Sequence, residues 1–399
     1  MSSHGDGLAR LASTLEREAR HAAGRNRRMF PHFSERGRWR LLAADETSRW
    51  RGEEYDHGNW TLGFWFGVIW LAAELTGSSA PLELARARLD LVRPRAHDST
   101  THDLGFIFWP SLVFGHRLGF VADEETEPAL VAAGTLARRF NPQGGYIQAF
   151  GAIGHSLGAG TSTIDTMMNL PLLWWAGTMK DQKRLLEIAH QHALTSKATF
   201  LRDDWSTYHL NRFDPRSGVL LRQETFQGAS PSSCWSRGQA WAICGFALAY
   251  AATSDSEMLT AAEQTAEYFW AHLPPSGLPP WDFTETAVDA PQDASAAAIA
   301  GFGALVLAEL HPAEDRRACH RSRAEEVLGK LMQYVPDAED VDGILQHCSY
   351  SVPHRLGMDG ATAWGDFYFS LAYTVLAGRI PTRLVLDGPS SASTDGRVR

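Results

Sequence analysis

The sequence predicts an all-α fold, an (α/α)6 barrel of six helical hairpins in which an outer ring of helices surrounds an inner one. Three observations carry that expectation. Apolar residues recur with the 3.6-residue period of helices along most of the chain. The periodic segments alternate between charged amphipathic stretches and nearly uncharged ones. No strand–helix–strand alternation and no glycine-rich dinucleotide fingerprint interrupts them.

In chain order the expected helices run over 8–24, 59–76, 80–95, 103–119, 126–139, 164–177, 181–199, 234–253, 258–273, 292–310, 315–333 and 361–378. The first, third, fifth and later odd-numbered segments carry a solvated face, as in LEREARHA, LELARARLDLVRPR, DQKRLLEIAHQHA and RRACHRSRAEEVLGKL. The even-numbered ones read WTLGFWFGVIWLAAEL, DLGFIFWPSLVFG, IDTMMNLPLLWWAG, WSRGQAWAICGFALAYAA, DASAAAIAGFGALVLAEL and TAWGDFYFSLAYTVLAG. A helix apolar all round must be buried all round. Six exposed helices alternating with six buried ones therefore describe two concentric rings, and an open solenoid is disfavoured because neither terminal hairpin reads as a polar cap. A short extended piece is expected near 218–222. The chain is expected to form one domain over 1–387, with a disordered tail over 388–399 (GPSSASTDGRVR).

Composition excludes several functional classes. Net charge is −9 with a pI near 6.0, which offers no basic stripe to nucleic acid. The N-terminus has no apolar core of a secretory signal, and the glycine-broken run over 61–75 is too short to span a bilayer. The four cysteines form no CxxC pair and no metal-ligand spacing, so free thiols in a cytoplasmic protein are expected. The 14 Trp residues fit a large core or an aromatic ligand cleft.

Polar residues gather at the N-terminal ends of the buried helices: Asn59 and Trp60, His102 and Asp103, Asp165, Trp235 with Arg237 and Gln239, Asp293, and Trp364 with Asp366. In an alternating barrel the inner helices run the same way, so these ends meet at one mouth. Long aromatic loops, QGGYIQAFG, DDWSTYHLNRFDP, RQETFQG, PPWDFTE and QHCSYSVPH, enter the same mouth. Asp103, Asp165 and Asp293 can each serve as helix caps or as chemical groups. Arg237 opposes a helix dipole unless an anion is near. It suits either an acidic ligand or an ion pair with Asp293 or Asp366. For Asp165, apolar surroundings raise the pKa and the helix dipole lowers it, so its resting state stays open. Rings, carboxylates and a cation together suggest a site for an acidic carbohydrate. Trp60, Trp235, Trp281 and Trp364 are expected at the mouth, and Trp70, Trp174 and Trp175 in the core.

Six motifs, in this order, resemble the unsaturated glucuronyl hydrolases of glycoside hydrolase family 88. They are H-D-L-G-F (102–106), I-D-T-M-M-N-L-P-L-L (164–173), W-S-R-G-Q-A-W (235–241), P-W-D-F (280–283), D-A-S-A-A-A-I (293–299) and W-G-D-F-Y (364–368). The resemblance covers about residues 10–380 and implies the same barrel. It implies a substrate with a 4-deoxy-4,5-unsaturated uronic acid at its non-reducing end, such as the glycosaminoglycan-type disaccharides left by lyases. Water adds across the C4=C5 enol ether and the glycosidic bond is then lost. By motif, Asp165 is the implied general acid/base and Asp103 binds ring hydroxyls. His209 and Gln227 help position the reacting end. Trp60, His102, Phe150, Trp235, Arg237 and Tyr350 line the subsite, and Arg237 or neighbouring loop groups meet the uronate. The chain departs from the family in having Phe150 where a Trp is frequent and Phe226 where a His is common, which bears on substrate preference. No metal and no cofactor is implied, and a monomer or weak homo-oligomer is expected. The alternatives are an unsaturated rhamnogalacturonyl hydrolase, a sugar epimerase on the same barrel, and a non-catalytic sugar-binding protein.

Overall fold

The computed structural model describes residues 3–46, 58–154, 158–287 and 289–386. The tail 388–399, expected to be disordered, lies outside the described residues.

Thirteen α-helices follow in order among the described residues. They are α1 (Ser3–Ala23), α2 (Leu62–Thr76), α3 (Ser79–Arg86), α4 (Leu104–Phe108), α5 (Phe114–Arg117), α6 (Glu127–Ala137), α7 (Leu170–Met179), α8 (Lys183–Phe200), α9 (Ser236–Thr253), α10 (Ser256–His272), α11 (Ala294–Leu310), α12 (Glu314–Leu331) and α13 (Ala363–Leu376). Each matches an expected helix, except that the expected helix 103–119 is split into α4 and α5. Trp109–Val113 takes a wider π turn there. Pro110 cannot donate the backbone bond an α-turn requires, which accounts for the break.

The inner ring is α2, α4–α5, α7, α9, α11 and α13. Each packs on the next, and α13 returns to α2, so the ring is closed. Nearly every residue of α9 and α11 is buried, whereas α12 buries only His320, Ala324, Val327, Leu328 and Leu331. The fold is therefore the (α/α)6 barrel its sequence predicts. Helix crowding explains the glycines. A Cβ at Gly63 would lie 2.2 Å from the carbonyl oxygen of Phe106, and one at Gly105 would lie 2.3 Å from the Cα of Asn169. Only glycine permits either approach.

The extended pieces are more extensive than the sequence suggests. β1 (Met29–Glu35) and β2 (Arg38–Ala43) form a hairpin. Its turn residues Arg36 and Gly37 both have positive φ, 53° and 72°, as a type I′ turn requires. β3 (Phe140–Asn141) pairs with β4 (Tyr146–Ile147). β5 (Thr161–Thr163), β6 (Leu210–Phe213) and β7 (Leu220–Glu224) make a three-stranded antiparallel sheet. β7 corresponds to the extended piece expected near 218–222. The other strands are too short, or too far apart in sequence, to leave an alternating pattern.

Candidate active site

The inner helices deliver their N-terminal ends to a cleft of mixed aromatic and polar lining. Trp60, His102, Asp103, Phe106, Phe150, Asp165, Phe226, Gln227, Trp235, Arg237, Trp241 and Tyr350 line it. The three-stranded sheet assembles one side. Asp165 follows β5, His209 precedes β6 and Gln227 follows β7. The bond from the Ile164 amide to the His209 carbonyl (3.1 Å) locks the first two together.

At the floor lies a carboxylate–imidazole–carboxylate cluster. His102 Nδ1 lies 2.8 Å from the carbonyl oxygen of Ala149. A carbonyl only accepts, so Nδ1 carries a hydrogen. Its Nε2 faces Asp165 Oδ2 at 3.2 Å, Thr163 Oγ1 at 3.3 Å and Asp103 Oδ1 at 3.4 Å. Burial works against a charged ring, but Asp103 and then Asp165 outweigh it, and the His102 pKa is raised above its ordinary value. Burial likewise pushes the Asp165 carboxyl upward, yet the hydrogen bond and charge of His102 prevail and lower it to about 2. The competition left open by the sequence is thus decided by a histidine rather than by the helix dipole. Asp165 is the more open of the two carboxylates, with 20% of its side chain exposed against 7% for Asp103.

Neither Asp103 nor Asp165 forms a side-chain capping bond, whereas Asp293 does, accepting from the Ser295 amide at 3.2 Å. Asp103 instead accepts from the Thr101 hydroxyl at 2.8 Å. Arg237 pairs with Asp293, and its other nitrogen donates to the Tyr350 carbonyl at 2.6 Å. The guanidinium also packs over Trp235 and Trp364. Its charge is thus committed inside the protein, which is the ion-pair alternative. Asp366 is not part of it. Asp366 accepts from the Ile344 and Leu345 amides, and burial raises its pKa well above the ordinary range.

His209 stands just behind the cleft wall, its ring 4.4 Å from Phe226 and 4.5 Å from Trp235. Nδ1 faces the Thr225 hydroxyl (2.9 Å) and the Gln227 amide (3.4 Å), so it serves as the acceptor and Nε2 carries the hydrogen. That Nε2 is buried without a hydrogen-bond partner among the described residues. Burial lowers the His209 pKa to about 4, and the ring is neutral at neutral pH. Gln227 donates to the Tyr350 carbonyl at 3.0 Å. Trp60 stacks on Trp364 with centroids 5.1 Å apart. Phe150 and Phe226 meet edge-to-face at 5.3 Å.

Of the four Trp expected at the mouth, Trp60 and Trp235 line the cleft. Trp364 is fully buried behind Trp60, and Trp281 is buried with its carbonyl accepting from Ser236. Trp241, at the end of the W-S-R-G-Q-A-W motif, takes a lining place instead. Trp70, Trp174 and Trp175 are in the core as expected. Arg139 and Asn169 carry structural duties the sequence does not announce. Arg139 donates to the carbonyls of Gln148 (2.8 Å), Ala149 and Gly151 (both 2.9 Å), holding the loop that orients His102. Asn169 Oδ1 accepts from the Phe106 amide at 3.0 Å, tying the Asp103 turn to the Asp165 turn. The only hint was Asn169's fixed place in I-D-T-M-M-N.

Among the described residues, two clusters could close on a cation by distance alone, His102–Asp103–Asp165 and Glu18–His21–Asp342. In the first, His102 Nδ1 donates to the Ala149 carbonyl and its Nε2 lies between the two carboxylates. The second is balanced by Arg25, 2.6 Å from Asp342.

No protein-family model matches the chain. Among curated proteins it is 35% identical to an unsaturated glucuronyl hydrolase of Bacillus sp. (strain GL1) over 326 residues, 79% of this chain and 85% of that one. It is 33% identical to an unsaturated chondroitin disaccharide hydrolase of Streptococcus pyogenes serotype M1 over 322 residues, covering 79% and 80%. Among solved structures, the unsaturated glucuronyl hydrolase of Bacillus sp. GL1, responsible for degradation of glycosaminoglycan, superposes with a TM-score of 0.84. It is 32% identical, covering 91% of this chain and 94% of that one.

Proposed function

The chain belongs to the unsaturated glucuronyl hydrolases, and on that premise we propose how its cleft removes the 4,5-unsaturated uronic acid from the non-reducing end of lyase-generated oligosaccharides. One observation carries the assignment of roles. Asp165 is the carboxylate open to the cleft, and it lies against a histidine that also contacts the buried Asp103.

The uronic ring lies among Trp60, Phe106, Phe150 and Trp235, whose faces suit the apolar side of a sugar. Asp103, already accepting from Thr101, accepts from ring hydroxyls. Asp165 delivers a proton to C4 while water adds at C5, and the carboxylate left behind takes a proton from that water. The hemiketal formed at C5 collapses, the ring opens and the bond to the leaving sugar is lost. No displacement occurs at the anomeric carbon, so the carboxylate-spacing rule for ordinary glycosidases does not apply. Since the charge of Arg237 is spent on Asp293, the uronate falls to neutral donors, Gln227 in the cleft lining and the buried Nε2–H of His209 behind it. The apolar pair Phe150–Phe226 favours a glycosaminoglycan-type disaccharide whose leaving sugar presents no sulfate to that wall. A cytoplasmic location is part of the proposal and is supported by four free thiols; no described helix is long and apolar enough to cross a membrane.

Asp165→Asn tests the role assignment. Turnover is expected to fall at least ~10²-fold, with disaccharide binding by calorimetry retained. Near-normal turnover would remove Asp165 from the chemistry.

A further inference from the structure

Asp165 presents a difficulty for its own role. A proton donor to C4 must be protonated when the double bond is attacked, yet His102 holds the Asp165 carboxyl at about 2. The free site therefore keeps its acidic proton elsewhere. Among the described residues, His102 is the titratable side chain set against Asp165, its Nε2 3.2 Å from Oδ2, with the Thr163 hydroxyl bonded to the same carboxylate.

We propose that His102 is the proton reservoir of the site, a positioning residue that stores the proton as an imidazolium and passes it to Asp165 when substrate binds. The idea deepens the hydration chemistry above and rests on it. Every element packed around the ring contributes. Asp103 precedes α4, Asp165 and Thr163 flank the end of β5, and the Ala149 carbonyl fixes Nδ1 as a donor. Arg139, at the end of α6, and His192, on α8, are the charged and titratable groups behind. Arg139 is turned to carbonyls, and His192 is neutral because burial lowers it to about 3 and its Nδ1 accepts from the Ile147 amide.

The transfer is balanced within the cluster. The substrate brings a carboxylate of its own and displaces water, so a second fixed carboxylate in the cleft becomes costly. The Nε2–H bond breaks and an O–H bond forms on Asp165 Oδ2. His102 becomes the neutral tautomer protonated on Nδ1, which Ala149 already stabilises. Asp165 then gives that proton to C4. The proton released by the attacking water returns to Asp165 and from there to Nε2. One water is consumed, no net proton is, and no other reactant is needed.

Nitrogen-15 NMR of the imidazole in the wild-type protein at neutral pH reads the starting state directly. Both His102 nitrogens are expected to be protonated without ligand, and Nε2 to lose its proton when the Asp165→Asn protein is compared. A neutral ring in the free wild-type enzyme would overturn the proposal. The second arm is His102→Gln, which keeps a polar side chain against Ala149 and Asp165 but cannot store a proton. Its kcat is expected to fall at least ~10²-fold with KM within about threefold, and the alkaline limb of its pH–rate profile to move to lower pH. An unchanged profile, whatever the rate, would make His102 merely structural. Inactivity of the wild type on every unsaturated disaccharide would sink the functional reading instead, while the NMR result would stand apart from it.

Discussion

His102, His192 and His209 are all buried, yet their pKa values are shifted in opposite directions, His102 up and the other two down. Neighbours decide this: two carboxylates face His102, whereas His192 and His209 accept from backbone amides. A pH dependence of stability follows, with a sign that can be worked out for each group. The lowered pKa values of His192 and His209 mean that the unfolded chain takes up protons below about pH 6.5 while the folded one does not until about 3 and 4. Stability contributed by these two is therefore lost as pH falls through that window. His102 is raised, so its contribution is complete below about 6.5 and is lost as pH rises through its folded value. Asp165 contributes from about 4 upward and loses its contribution as pH falls toward 2. Urea titrations of wild type and His209→Gln at pH 6.5 and 4 should show a smaller acid-induced loss in the variant, the difference being on the order of 3 kcal/mol. Equal losses would show that His209 does not titrate as its burial implies. At this scale the sequence disclosed which residues gather but not their protonation. The pKa of Asp165 depends on His102, 63 positions away. Arg237 likewise could not be assigned between ligand and Asp293 until the two were seen in contact.

Elements position these residues through close approaches. Gly105 lets the α4 turn press against Asn169, which sets the distance between Asp103 and Asp165. Gly105→Ala is expected to cost about 1–3 kcal/mol from overpacking. Its kcat should fall on the order of 10²-fold, since displacements near 1 Å carry such penalties in active sites. Wild-type kcat in a folded Gly105→Ala protein would show that this contact does not set the geometry. The N-terminus of α9 depends on the buried Arg237–Asp293 pair. Asp293→Ala strands a guanidinium and should destabilise the protein by about 3–5 kcal/mol in equilibrium unfolding, and a loss under 1 kcal/mol would contradict that account. The helices were legible because twelve long periodic segments differ plainly in polarity. The sheet β5–β6–β7 was not, because β5 has three residues and pairs across 46 to 50 positions of intervening chain. The β1–β2 hairpin was missed for another reason: its turn pair is Arg36–Gly37 rather than the usual Asn-Gly or Asp-Gly.

For the whole molecule, ring closure does what no single hairpin could. It brings six helix N-termini to one mouth and surrounds the cleft with an aromatic core continuous through both rings. The barrel was legible from alternation alone. The division of the tryptophans was only partly so, since helix phase decides whether Trp241 or Trp364 faces the cleft, and α9 and α13 each begin two residues later than expected. The central claim is hydration at C4=C5, and the most direct measurement follows two signals together on an unsaturated disaccharide: the near-ultraviolet absorbance of the conjugated acid and release of the leaving sugar. Hydration requires absorbance to fall at least as fast as sugar appears, one double bond lost per sugar released. Sugar released while the absorbance persists would mean cleavage at the anomeric carbon with the double bond intact, and would contradict the account.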